Sequence, residues 1–99
     1  MPIWRWVQMP IQAEHAAQAE AALLTQAPHT RAFPGCLALR LYREESPEGP
    51  TFYSLSAWES PEALEKYRNS ALFRAFWAKL KPLFREAAQA HTLAEIGCF

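Results

Sequence analysis

Ninety-nine residues carry ten basic and ten acidic side chains and no formal net charge, a balance that argues against nucleic acid or an acidic membrane as the main partner. Half of the residues are hydrophobic, with four Trp and six Phe, too apolar for a disordered chain and sufficient for one compact domain over 1–99. No apolar run approaches the roughly 20 residues that span a bilayer; with no basic-then-apolar leader and with Cys36 and Cys98 far apart, a cytoplasmic protein with reduced thiols is expected.

Residues 2–9 read as a strand, with Trp4 and Trp6 on one face and Ile3, Val7 and Met9 on the other. Pro10 closes it. Residues 11–27 are Ala-rich and free of Gly, with Ala13, Ala16, Ala17, Leu23 and Leu24 at helical spacing; Pro28 is expected to stop this helix. Pro34-Gly35 opens a second strand over 36–44, a loop rich in Ser, Pro, Glu and Gly breaks it, and a third strand follows over 51–59. Ser60 before Pro61 is an N-cap followed by a first-turn proline, and residues 61–69 form a short helix showing Ala63, Leu64 and Tyr67 inward. Asn69-Ser70 can cap a further helix with the apolar stripe Leu72, Phe73, Phe76, Trp77, Leu80 and Phe84, which Pro82 kinks or ends. Residues 91–96 read as a last strand.

The order is βαββαβ, an α+β ferredoxin-like arrangement with the helices on one face of a four-stranded antiparallel sheet. The first strand is nonetheless apolar on both faces, the pattern of a sheet buried on both sides. In the second strand, Leu37, Leu39 and Leu41 oppose Cys36, Ala38, Arg40 and Tyr42. An uncovered apolar face exceeds what monomers tolerate, so a second copy is expected to cover it as a two-fold homodimer.

Most catalytic constellations are missing from the sequence. It contains no Asp, which removes a Ser-His-Asp triad, and His15, His29 and His91 lack metal-ligand spacing. The three glycines, Gly35, Gly49 and Gly97, cannot form a phosphate loop, so no nucleotide cofactor and no metal is expected. The charges are segregated: those from Glu44 to Glu65 are all acidic and those from Lys66 to Arg85 all basic. This is either a solvated helix face or a basic rim for an anionic or phenolate-like ligand.

Alternation places Phe52, Ser54, Ser56 and Trp58 on one face of the third strand. With Tyr67, Phe73, Phe76 and Trp77 they either fill a core or wall a flat cavity for a planar, quinol-like molecule, the two serines supplying room and hydrogen bonds.

The run FPGCLALRLYREESPEGPTFYSLSAWESPEALE, followed by an aromatic helix, resembles the antibiotic biosynthesis monooxygenase domain family, a group of small dimeric α/β barrels. The resemblance implies sheets packed face to face, with C-terminal segments reaching across. It also implies a cofactor-independent monooxygenase that deprotonates a phenol or quinol to a carbanion reactive toward dioxygen. Polyketide oxygenases of the family carry an Asn four residues before the Trp of the WES run and a Tyr six residues after it. Here the Trp is Trp58, while those two positions hold Ser54 and Leu64. Tyr67, one helical turn further, is the candidate replacement for the phenol. The catalytic candidates are therefore Tyr67 and Ser54, with Trp58, Phe52, Ser56, Phe73, Phe76 and Trp77 as substrate-binding candidates. A second branch degrades haem, using a Trp and an iron-ligating His ten residues later. The comparable positions are Tyr67 and Trp77, and Trp offers no lone pair to iron. Three readings stay open: the monooxygenase, a non-catalytic barrel binding a small aromatic ligand, and a haem protein.

Overall fold

A computed structural model describes residues 2–99, and its alternating segments pair into one antiparallel sheet. The elements are β1 (Ile3–Pro10), a 3₁₀ turn (Ala13–His15), α1 (Ala16–Arg31), β2 (Cys36–Glu44), β3 (Thr51–Trp58), α2 (Pro61–Arg68), α3 (Ala71–Leu80), a second 3₁₀ turn (Lys81–Leu83) and β4 (Gln89–Ala94). Strand order is β2-β3-β1-β4, the ferredoxin-like α+β arrangement.

Local chemistry explains the boundaries between strand and helix. Ser60 Oγ accepts from the Ala63 amide at 3.1 Å, and Pro61 needs no partner at the first helical position. Ser70 repeats the device on the Phe73 amide at 3.1 Å, so one of the orphan donors at the start of α3 is satisfied where α2 passes into it. Gly35 sits at φ +88°, and a Cβ there would lie 2.5 Å from Ala63 Cβ. Only glycine lets this turn press against α2. Pro82 ends α3 at Leu80 and leaves one 3₁₀ turn.

Four expectations are corrected. Pro28 does not stop the first helix, which runs to Arg31. The bond that Pro28 cannot donate would have gone to the carbonyl of Leu24, an exposed residue, and the Pro28 carbonyl still accepts from the Ala32 amide. The α-helix starts at Ala16 rather than Ile11, and its inward stripe is Ala19, Leu23 and Thr30, while Ala13, Ala17 and Leu24 face outward. In β2 a bulge between Cys36 and Ala38 breaks the alternation, so that Cys36 shares a face with Leu39 and Leu41. The last strand occupies Gln89–Ala94 rather than 91–96, because Ala94 already pairs with Ile3, the first residue of β1.

The register stacks the helix-facing side chains in rows. Ile3 lies beside Trp58, Arg5 beside Ser56, Val7 beside Ser54 and Met9 beside Phe52. Two apolar clusters form over this face. One gathers Met9, Ile11, Ala19, Leu23, Phe52, Leu80 and Leu83; the other gathers Cys36, Trp58, Leu64 and Tyr67. On the opposite face Trp6 stacks on His91 at 5.2 Å and leans on Tyr53 at 5.7 Å, while Tyr42 and Leu93 are about half exposed at 49% and 46%. Among the described residues no helix covers that face.

Candidate functional site

The two clusters do not close on each other. Between the sheet and the three helices remains a cavity of about 250 Å³. The sheet contributes Val7, Leu39, Leu41 and Ala90 around Ser54 and Ser56. From above come Leu23, Gln26 and Thr30 of α1, Leu64, Tyr67 and Arg68 of α2, and Phe73, Phe76 and Trp77 of α3. The space exists because α1 presents small or polar side chains here. Ala27, Gln26 and Thr30 do not reach far enough to fill the gap that two serines leave in the sheet below.

The aromatic candidates divide into two groups. Tyr67, Phe73, Phe76 and Trp77 border the cavity. Phe52 and Trp58 do not. They share the helix-facing side of β3 with Ser54 and Ser56 but are sealed in the two clusters, and Arg43 lies over the Phe52 ring at 5.5 Å. Trp58 is a backing wall: its ring stacks on Tyr67 at 5.0 Å, and its Nε1 donates to Ser56 Oγ at 2.9 Å. Stacked and edge-on contacts continue from Tyr67 to Phe73, Trp77 and Phe84 at 5.2–5.7 Å. Core and cavity wall are thus one aromatic ladder.

Tyr67 is the polar centre of that ladder. Its hydroxyl lies 2.9 Å from Thr30 Oγ1 in a buried hydrogen bond. Burial pushes the phenol above its ordinary value, and the Thr30 hydroxyl and the nearby Gln26 carboxamide pull weakly the other way. At neutral pH this group holds its proton, so it can donate one but is no base. Gln26 Nε2 is shielded from solvent and meets no acceptor in hydrogen-bonding geometry, an unsatisfied donor beside the same cavity.

The raised phenol has a consequence for stability. The unfolded chain loses the Tyr67 proton at about pH 10, whereas the folded chain keeps it to higher pH. Above that point the native state binds more protons, so stability falls as pH rises through the interval and is fully present below it. Urea midpoints measured across pH 9–11 should decline for the native protein, and the decline should be shallower in Tyr67→Phe.

Four polar side chains of the cavity, Arg5, Arg68, Gln26 and Thr30, are not among the sequence's site candidates. Arg5 lies in the inward row Ile3, Arg5, Val7, Met9, a charge on an otherwise apolar face, and that position was the available signal. Arg68 ends α2 within the basic run. Gln26 and Thr30 follow Ala19 and Leu23 at helical spacing, and the expected stop at Pro28 cut that stripe short of Thr30. Burial and the neighbouring Arg68 charge both lower the Arg5 pKa, and Glu65 acts in the opposite sense. Among the described residues no carboxylate or imidazole borders the cavity, and no three His, Cys, Asp or Glu side chains converge as a metal site would require.

The fold is widely shared among solved structures. A Caulobacter crescentus protein provisionally assigned as an antibiotic biosynthesis monooxygenase matches with 26% identity and a TM-score of 0.86, covering 97% of this chain and 91% of its own. Rv0793 from Mycobacterium tuberculosis matches at 23% identity and TM-score 0.85, covering 98% and 97%. A mutant of SnoaB, a cofactor-independent oxygenase from Streptomyces nogalater, matches at 13% identity and TM-score 0.84, covering 98% and 95%, a likeness of fold alone. No curated protein sequence matches significantly. Residues 3–79, which include every strand and helix of the cavity except β4 and the last residue of α3, match the family profile "Antibiotic biosynthesis monooxygenase", and the chain belongs to that family.

Proposed function

We propose that the protein is a cofactor-independent monooxygenase that oxidises a small phenol or quinol with dioxygen in the cavity beneath α1–α3. The observation that carries this reading is the buried Tyr67 hydroxyl, paired with Thr30 at 2.9 Å on the wall of an aromatic-lined space. A ring slides between Leu39 and Leu41 on one side and Phe73, Phe76 and Trp77 on the other, and Ser54 offers a hydroxyl to a ring oxygen. The substrate hydroxyl gives its proton to solvent water, the resulting ring carbanion gives an electron to dioxygen, the two fragments combine as a peroxide, and loss of water leaves a carbonyl. A phenol carbon bearing hydrogen becomes the second carbonyl of a quinone. One oxygen atom is retained, the other departs as water, and all four electrons come from substrate bonds. Tyr67 supplies a proton to the peroxide oxygen, the role open to a phenol that stays protonated.

Oxygen uptake over a panel of phenols and dihydroxy-aromatics, after chelation and removal of flavin, tests this. Turnover with at least one member is expected. Saturable binding without any uptake would instead favour a non-catalytic barrel holding an aromatic ligand. The haem reading gains nothing from the site, since no histidine borders the cavity among the described residues.

The working unit in this proposal is a cytoplasmic homodimer. Its support is the outer sheet face, where Trp4, Trp6, Tyr53, Leu55 and Leu93 lie on the side away from the helices. Light scattering at micromolar concentration is expected to give twice the mass of the chain. Trp6→Glu, which places a charge in the middle of that face, should shift the mass toward one copy, and a native monomer would overturn the assembly.

A further inference from the structure

The cavity carries a charge that an aromatic hydrocarbon wall does not explain. Arg5 rises from the centre of β1 and Arg68 from the last turn of α2, and both border the same space as Ser54, Ser56 and Tyr67. Arg5 is partly buried and donates a hydrogen bond to a neutral group, Thr92 Oγ1, at 2.9 Å. Among the described residues no carboxylate comes within ion-pair distance of it. Arg68 shares its charge with Glu65, on the outer side of the same helix turn at 3.3 Å. Glu65 is also engaged by the Asn69 carboxamide at 3.2 Å. Two guanidiniums and one carboxylate leave one positive charge unmet at the mouth.

Holding two like charges beside a half-desolvated cavity is costly, and both side chains retain hydrogen-bond donors beyond those used. A guanidinium pair presents several N–H groups in planar forks, which match a carboxylate better than a single hydroxyl. The unmet charge is one, which suits a monoanion rather than a phosphate dianion. The row of Arg5 and Ser56 forms the polar end of the cavity, whereas Met9, Leu23, Phe76 and Ala88 form its apolar end.

We propose that the natural ligand is an aromatic carboxylate, bound with its rings along Leu39, Leu41, Phe73 and Trp77 and its carboxylate between Arg5 and Arg68. The proposal rests on the reading of the cavity as an aromatic-ligand site, though not on its catalytic power.

Titration calorimetry with 2-naphthoate and with the equally shaped, neutral 2-naphthamide tests it. The carboxylate is expected to bind at least about tenfold more tightly, since charge-assisted hydrogen bonds exceed neutral ones by that order, and added salt should narrow the gap. Arg68→Met should remove most of the preference, lowering naphthoate affinity far more than naphthamide affinity. Arg5→Met, which keeps the length of the stem, should do the same, with circular dichroism reporting its fold. Equal affinities, or a preference that survives Arg68→Met, would overturn the carboxylate site while leaving the aromatic cavity standing. Binding of neither compound at millimolar concentration would overturn both.

Discussion

Tyr67→Phe is expected to slow oxygen consumption by roughly 10²–10⁴-fold, the usual contribution of a positioned proton-transfer group. The substitution removes one oxygen and leaves the ring that stacks on Trp58 and meets Phe33 and Phe73 edge-on. Substrate affinity and the mass in solution should therefore stay close to native, and the loss should appear in kcat rather than KM. Thr30 loses its partner in a buried place, so a stability cost of about 1 kcal/mol is expected alongside. Adding Thr30→Val, which removes the stranded hydroxyl, should restore part of that stability and none of the turnover. This separation distinguishes chemistry from packing. Unchanged turnover in Tyr67→Phe would strip the residue of its proposed role.

Trp58→Ala is expected to cost roughly 3–5 kcal/mol of folding stability, the range for truncating a fully buried aromatic ring. Trp58 has no solvent exposure. It joins β3 to α2 through Tyr67 and to the end of α1 through Phe33, and its indole satisfies Ser56. Removing it leaves a void behind Tyr67 and a buried serine without its donor. A domain of this size has roughly 5–15 kcal/mol in hand, so the midpoint of thermal unfolding should fall by well over 10 °C. Because the ring backs the cavity instead of lining it, ligand affinity should drop only through displacement of Tyr67. Trp58→Phe, which keeps most of the ring volume, should recover much of the stability. A small midpoint shift for Trp58→Ala, measured by calorimetry, would contradict the packing.

Much of this molecule was legible as a linear pattern. Ser60-Pro61 and Ser70 announced their helices because an N-cap is a contact between residues three apart, and Pro34-Gly35 announced its turn for the same local reason. The alternation of β3 correctly put Phe52, Ser54, Ser56 and Trp58 on one face, since a strand has no other way to place them. The element order followed, and with it the fold and the family likeness. What failed was whatever depended on partners distant in the chain. Pro28 was misjudged because its tolerance depends on the exposure of Leu24, and the β2 bulge because it exists only against β3. Arg5 stood out in its own strand as a charge in an apolar row, but Gln26 and Thr30 are ordinary in theirs, and the three become neighbours only when β1, α1 and α2 meet. The division of β3 was likewise invisible: four side chains share one face, yet two are sealed and two open on a cavity. The sequence alone determined which surfaces would meet, because that is a matter of period and local hydrogen bonding. Whether they would meet without a gap was decided by the reach of side chains across the packed layers, which only the tertiary structure contains.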